Sequence, residues 1–156
     1  SNKQIRIIQP NVAQKNKWKK ELGEIHFNSL IKLSNINSEN VDIFIWPETS
    51  VPFFLEYKKN FQNVIFNTIS KPIILGARRY DKSSNKLYNS AYYLNANGKV
   101  EQIYDKKHLV PFGEYVPFNN ILNIFVETGI ENNGITGFSV GKKTNEIVID
   151  NSIKIS

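Results

Sequence analysis

The segment Val41 to Trp46 (VDIFIW) constrains the fold more than any other stretch of the chain. Successive side chains of a strand point to opposite faces. A strand that is apolar on both faces must be covered on both, as in the buried parallel sheets of α/β proteins. Asp42, near the strand's start, is expected in solvent. Pro47 ends the ladder because it has no N–H to donate. Glu48 therefore stands just past the C-terminal end of a buried strand, the edge where open α/β sheets form ligand sites.

The flanking segments extend this pattern. Residues 4–10 (QIRIIQP) read as a short isoleucine-rich strand closed by Pro10. Residues 18–37 read as a helix with Leu22, Ile25, Ser29, Leu33 and Ile36 on one side. His26 lies beside that stripe and is expected to be a partly buried, hydrogen-bonded structural residue. A second helix is expected over residues 61–70 and another buried strand over 72–77 (PIILGA). Residues 87–94 and 99–104 read as a hairpin, with Asn97-Gly98 supplying the pair that tight turns favour. A loop dense in proline, glycine and charge follows over 106–117. Beyond it come a short helix (119–125), a mobile Gly- and Asn-rich stretch (131–141), and two short strands around a turn at Asn151. Strand, helix, strand, helix, strand, hairpin is an α/β order, with no repeat and no linker.

Composition narrows the function. The 156 residues suffice for one domain with its own core, and 40% hydrophobic with 22% charged residues marks a globular chain. A net charge of +6 favours nucleic acid, anionic lipid or acidic partners in general. The lysines are scattered, however, and only Lys15 to Lys20 (KNKWKK) is a compact cluster, so no nucleic-acid partner is expected. The absence of cysteine excludes disulfides, thiolate metal sites and a cysteine nucleophile within the chain. No run approaches the ~20 apolar residues of a membrane span, and no signal peptide is visible. The opening Ser1-Asn2, without methionine, suggests a processed chain or one cut from something longer.

Three segments hold polar groups that are costly to bury without a reason. The first is WPETSVP, residues 46–52, in which prolines on both sides of Glu48 aim its carboxylate rigidly. Partial desolvation would strengthen such a carboxylate as a general base; an ordinary loop glutamate pairing with a lysine is the plainer alternative. The second is YDKKHLVPFGEYVP, residues 104–117. Lys106, at a strand end, can turn its ammonium toward an oxyanion, and the turn through Pro111 and Gly113 brings Glu114 back to the same region. A solvated charge run is the alternative there. The third is Gln9-Pro10-Asn11 leading to Trp18, either part of a substrate mouth or a core or rim aromatic. His108 lacks companions at metal-ligand spacing, and a structural role is preferred for it.

These residues together resemble the carbon–nitrogen hydrolase (nitrilase) superfamily, whose members use a Glu–Lys–Cys triad on an α-β-β-α sandwich. The Pro47-Glu48 segment is similar to the family's glutamate motif. Tyr104-Asp105-Lys106-Lys107-His108-Leu109 matches its Tyr-x-Lys-x-His-Leu pattern. The continuation through Glu114 to Pro117, the opening Gln9-Pro10-Asn11 with Trp18, Ile45 to Pro52, Gly76-Ala77-Arg78 and Tyr88-Asn89 resemble the apolipoprotein N-acyltransferases within it.

The resemblance implies roles. Glu48 is the general base, Lys106 stabilises the oxyanion, and Glu114 is a second essential carboxylate. Trp18, Trp46, Tyr88 and Asn89 line or support the substrate site. The implied reaction passes an acyl chain from a phospholipid, through a cysteine thioester, to the N-terminal α-amine of an apolipoprotein, with no metal or cofactor. The implied location is the periplasmic side of a bacterial inner membrane, held there by membrane helices that have no counterpart in this sequence. The family's cysteine is expected on the strand after residues 147–155, where this chain stops. Residues 1–156 are thus expected to form an incomplete α-β-β-α sandwich, its C-terminal part missing, and to be inactive alone. A piece of a soluble nitrilase-type amidase, or a non-catalytic product of a split gene, are the competing readings.

Overall fold

In a computed structural model of the chain, the described residues are 3–13, 20–51, 53–57, 59–111, 113–115, 137–142, 146–149 and 153–155. Five strands form one sheet in the order β1 (Ile5–Ile7), β2 (Ile43–Ile45), β3 (Ile73–Asp81), β4 (Lys86–Leu94), β5 (Val100–Asp105). The first three are parallel and the last three antiparallel. The parallel part needs crossovers, supplied by helix α1 (Gly23–Asn35) before β2 and helix α2 (Lys59–Ile69) before β3. The antiparallel part closes through residues 95–99. There Gly98 takes φ +71°, and the Asn95 side chain accepts from the N–H groups of Asn97 and Lys99. Both strand and helix positions agree with the sequence reading, although β3 runs four residues past Ala77.

The alternation expected for residues 41–46 is found. Phe44 and Trp46 face one layer, where they pack with Phe27, Leu30 and Ile31 of α1 and Ile65 and Ile69 of α2. Ile43 and Ile45 face the other, with Ile74, Tyr93 and the strand β6 (Ile147–Ile149). β6 pairs antiparallel with β7 (Ile153–Ile155), the two short strands expected on either side of Asn151, which itself lies outside the described residues. Gln102 of β5 joins the two sheets: its side-chain amide donates to the Val148 carbonyl at 2.8 Å and accepts from the Val148 N–H at 2.9 Å. Helices, sheet and second sheet give three stacked layers, α-β-β, of the nitrilase-like sandwich among the described residues.

Helix α1 presents a different face from the one expected. Phe27, Leu30, Ile31 and Ser34 are buried, whereas Ile25 is 61% and Ile36 52% exposed. The spacing i, i+3, i+4, i+7 fits an amphipathic helix equally well; what selects it is the partner layer. Ser34, fully buried, accepts the Trp46 indole N–H at 2.9 Å and donates to the Leu30 carbonyl. Phe27 meets the Trp46 ring edge-on at 5.8 Å. Burying Phe27 alone is worth roughly 2–3 kcal/mol. The short helix expected over 119–125 and most of the 131–141 stretch lie outside the described residues.

Candidate active site

The polypeptide leaves the sheet after Trp46, whose N–H still donates to the Ile74 carbonyl. It rejoins at Val51, which bridges Ala77 and donates to the Gly76 carbonyl at 3.2 Å. Between them Pro47 to Ser50 arch over β3, with Thr49 at φ +52°. The arch rests on Gly76. A Cβ there would lie 2.6 Å from the Thr49 nitrogen and 2.7 Å from the Glu48 Cα, closer than atoms can approach. Glycine at 76 is therefore what lets the Glu48 loop lie flat against the sheet. The sequence displayed this residue inside Gly76-Ala77-Arg78 but offered no reason for it, because the loop it accommodates is distant in sequence.

Three other residues converge on Glu48. Asn89, on β4, donates its amide N–H to Glu48 Oε1 at 2.8 Å and to Glu114 Oε1 at 2.6 Å. Lys106, just past β5, places Nζ 2.8 Å from Glu48 Oε1 and 3.0 Å from Glu114 Oε2. The Lys106 backbone is held at both ends, its N–H on the Asn89 carbonyl and its carbonyl on the Gly141 N–H. Glu114 also closes its own loop, since Oε2 accepts the Val110 N–H at 2.8 Å. These contacts span 41 residues from Glu48 to Asn89 and 58 from Glu48 to Lys106.

The electrostatics follow from this geometry. Burial alone would lower Lys106, but the hydrogen bonds and charges of Glu48 and Glu114 outweigh it and hold the ammonium above its ordinary value. Burial alone would raise Glu114. The Val110 N–H, the Asn89 amide and the Lys106 ammonium outweigh that and hold its carboxyl below the ordinary range. The cluster sets the Lys106 ammonium between two carboxyl groups. Glu48 is the open member, its side chain 55% exposed against 12% for Glu114. Burial of the Glu48 carboxylate by the described residues is thus slight. Among those residues, no hydrogen bond reaches its second oxygen, Oε2, which leaves an acceptor free. A cleft of about 260 Å³ opens beside it, bordered by Gln9, Asn11, His26, Glu48 and Ser50. His26 lines this cleft, partly buried as expected, and makes no hydrogen bond to another described residue.

Two of the expected substrate residues lie elsewhere. Trp46 is 3% exposed, with its ring in the core and its N–H on Ser34. Glu48, two positions on, lies past the end of β2 in the arch, where strand alternation no longer sets its direction. Tyr88 is 9% exposed and lies under the Arg79 guanidinium, whose carbon is 4.4 Å from its ring centroid. It neighbours Asn89 on β4 and so faces the opposite side of the sheet. Trp18 lies outside the described residues. His108 is exposed.

A half-exposed carboxylate, a lysine and a second carboxylate on a sheet of this topology invite comparison with known proteins. The sequence profile of the family described as "Carbon-nitrogen hydrolase" matches residues 4–151. The chain belongs to the carbon–nitrogen hydrolase family. Within that family it is similar to the apolipoprotein N-acyltransferase of Brucella suis biovar 1, 31% identical over 156 residues, with 93% of this chain and 29% of the relative covered. It is also similar to that of Agrobacterium fabrum, 36% identical over 139 residues, with 82% and 26% covered. The chain spans less than a third of the length of these relatives. Among solved structures, an N-terminal amidase has a TM-score of 0.48 at 20% identity over 67% of this chain and 27% of that one. A carbon–nitrogen hydrolase from Helicobacter pylori G27 has a TM-score of 0.44 at 13% identity over 56% of this chain and 35% of that one.

Proposed function

We propose that this chain is the base-and-lysine part of an apolipoprotein N-acyltransferase catalytic domain. The observation that carries the reading is the bridging of Glu48 and Glu114 by both Lys106 and Asn89. Glu48, half-exposed and with no hydrogen bond to Oε2 among the described residues, takes the proton of a cysteine thiol supplied from outside this chain. The thiolate attacks the ester carbonyl of a phospholipid, and the Lys106 ammonium stabilises the resulting oxyanion. Collapse expels the lysophospholipid alkoxide, which takes the proton back from Glu48, and leaves a thioester. The α-amine of an apolipoprotein's N-terminal residue then attacks, its proton passes to Glu48, and the thiolate leaves. Glu114 holds Lys106 in place throughout. Trp18 belongs to the substrate mouth in this reading.

A triad acts as a unit, and its members do not substitute for one another. The isolated 156-residue chain, which has no cysteine, is therefore expected to show no acyl transfer from phospholipid to a diacylated lipopeptide. In the intact protein that contains it, Glu48→Gln should lower kcat on the order of 10⁴-fold. Lys106→Ala should cost about 10²–10³-fold. Parent-like turnover in either variant would overturn the assignment of Glu48 as base or of Lys106 as oxyanion partner. Release of ammonia from small amides, without lipopeptide acylation, would move the chain to the amidase branch. No helix among the described residues is long and apolar enough to cross a membrane. The periplasmic face of an inner membrane is the placement proposed for the protein that contains this chain.

A further inference from the structure

Asp105 and Lys106 are consecutive at the end of β5, so their side chains leave on opposite faces. Lys106 emerges beside Asn89 on the face that bears the site. Asp105 emerges beside Ser90, its cross-strand partner, on the face that bears the helices. There it is 5% exposed and fully engaged. Its Oδ1 accepts from Arg79 Nε at 2.8 Å and from Ser90 Oγ at 2.6 Å, and its Oδ2 accepts from Arg79 Nη2 at 2.7 Å. Arg79 comes from β3, Ser90 from β4 and Asp105 from β5, so three strands meet in one cluster. The Tyr88 ring backs the guanidinium. From outside, Gly141 presses on the same backbone: a Cβ at 141 would lie 2.0 Å from the Asp105 carbonyl oxygen.

We propose that the Arg79–Asp105–Ser90 cluster is a positioning anchor for acyl transfer, set back to back with the site. It fixes β4 against β5 at the level where Asn89 and Lys106 emerge, and so aims both at Glu48. The inference rests on the reading of Glu48 and Lys106 as reactive groups. Its physical ground is the contrast between what a buried ion pair gives in stability and in geometry. Desolvation offsets most of its attraction, and apolar side chains of similar volume often replace it without loss. A two-pronged arginine–carboxylate bond instead fixes distance and angle. Apolar neighbours on this face, such as Tyr92 and Leu94, pack without direction and do not set register to the fraction of an ångström that catalysis demands. A register slip of one residue would turn Lys106 to the wrong face altogether.

The test uses the intact protein that contains this chain. The double variant Arg79→Met with Asp105→Leu removes the fork and leaves no unpaired buried charge, so it should still unfold cooperatively. Amine acetylation with acetic anhydride, read by peptide mass spectrometry as the ratio of Lys106 to Lys107, reports how firmly Lys106 is held. The expected result is a severalfold rise in that ratio. A fall in kcat of about tenfold or more should accompany it, with KM nearly unchanged. A parent-like ratio with parent-like kcat would overturn the proposal and leave the cluster a purely structural one. If the double variant does not fold, Ser90→Ala, which removes a single bond, should move both readouts the same way by less; no movement would be equally fatal. Lys106→Ala, assayed in parallel, tests the underlying reading by itself. Should it keep full activity, the roles of Glu48 and Lys106 fall, and the anchor is still judged on the acetylation ratio.

Discussion

Glu114 ties its own turn, Asn89 and Lys106 together, and its carboxyl lies below the ordinary value because those donors outweigh its burial. A group depressed in the folded chain contributes stability that is complete above the unfolded value, about pH 4.5, and is lost as pH falls through the lower folded value. The urea midpoint should therefore drop below about pH 4.5 and drop less steeply in Glu114→Gln; equal slopes would contradict the assignment. Lys106 behaves in the opposite sense. Its ammonium is raised in the folded chain, so its contribution is complete below about pH 10.5 and lost as pH rises through the folded value. Ser34→Ala leaves the buried Trp46 N–H without its acceptor, at a cost of about 1–3 kcal/mol. A chemical-denaturation curve coincident with the parent would show that the indole finds another partner.

Between residues and the whole, the arch of residues 47–50 over β3 is the element on which the site depends. Gly76→Ala would drive a methyl group into the Glu48 and Thr49 backbone, and backbone cannot swing aside as a long side chain can. The arch must lift, at a cost of roughly 1–3 kcal/mol in stability. A larger loss should appear in activity, about 10²-fold in the intact protein. Loss of stability with full activity would show that Glu48 is not held by this arch. The sequence already marked the strand end at Pro47, because a residue without an N–H stops a ladder locally. It was silent on the return to the sheet at Val51, which depends on β3 being alongside.

At the scale of the whole molecule, β1 is the terminal strand of the sheet among the described residues, with Ile5 43% and Ile7 75% exposed. An exposed strand edge with apolar side chains is a template for pairing with another chain. The 156-residue chain should therefore self-associate with rising concentration in sedimentation velocity, and Ile7→Lys should shift it toward monomer. A parent chain monomeric at every concentration would contradict this.

The sequence by itself determined what depends on near neighbours. The apolar run ended by Pro47, the Asn97-Gly98 turn and the two short strands around Asn151 were all legible, since alternation, turn residues and ladder breakers act over a few positions. The motif around Lys106 and Glu114 was legible for the same reason, and with it the family. Only the tertiary structure decided which face of α1 is buried, because two stripes satisfy the helical period and the Trp46 indole selects the one bearing Ser34. Only it turned Trp46 and Tyr88 away from the site, since alternation fixes that neighbours oppose but not which side holds the chemistry. It alone brought Asn89 between two carboxylates 25 and 41 residues away, because such contacts exist only once β3, β4 and β5 lie side by side.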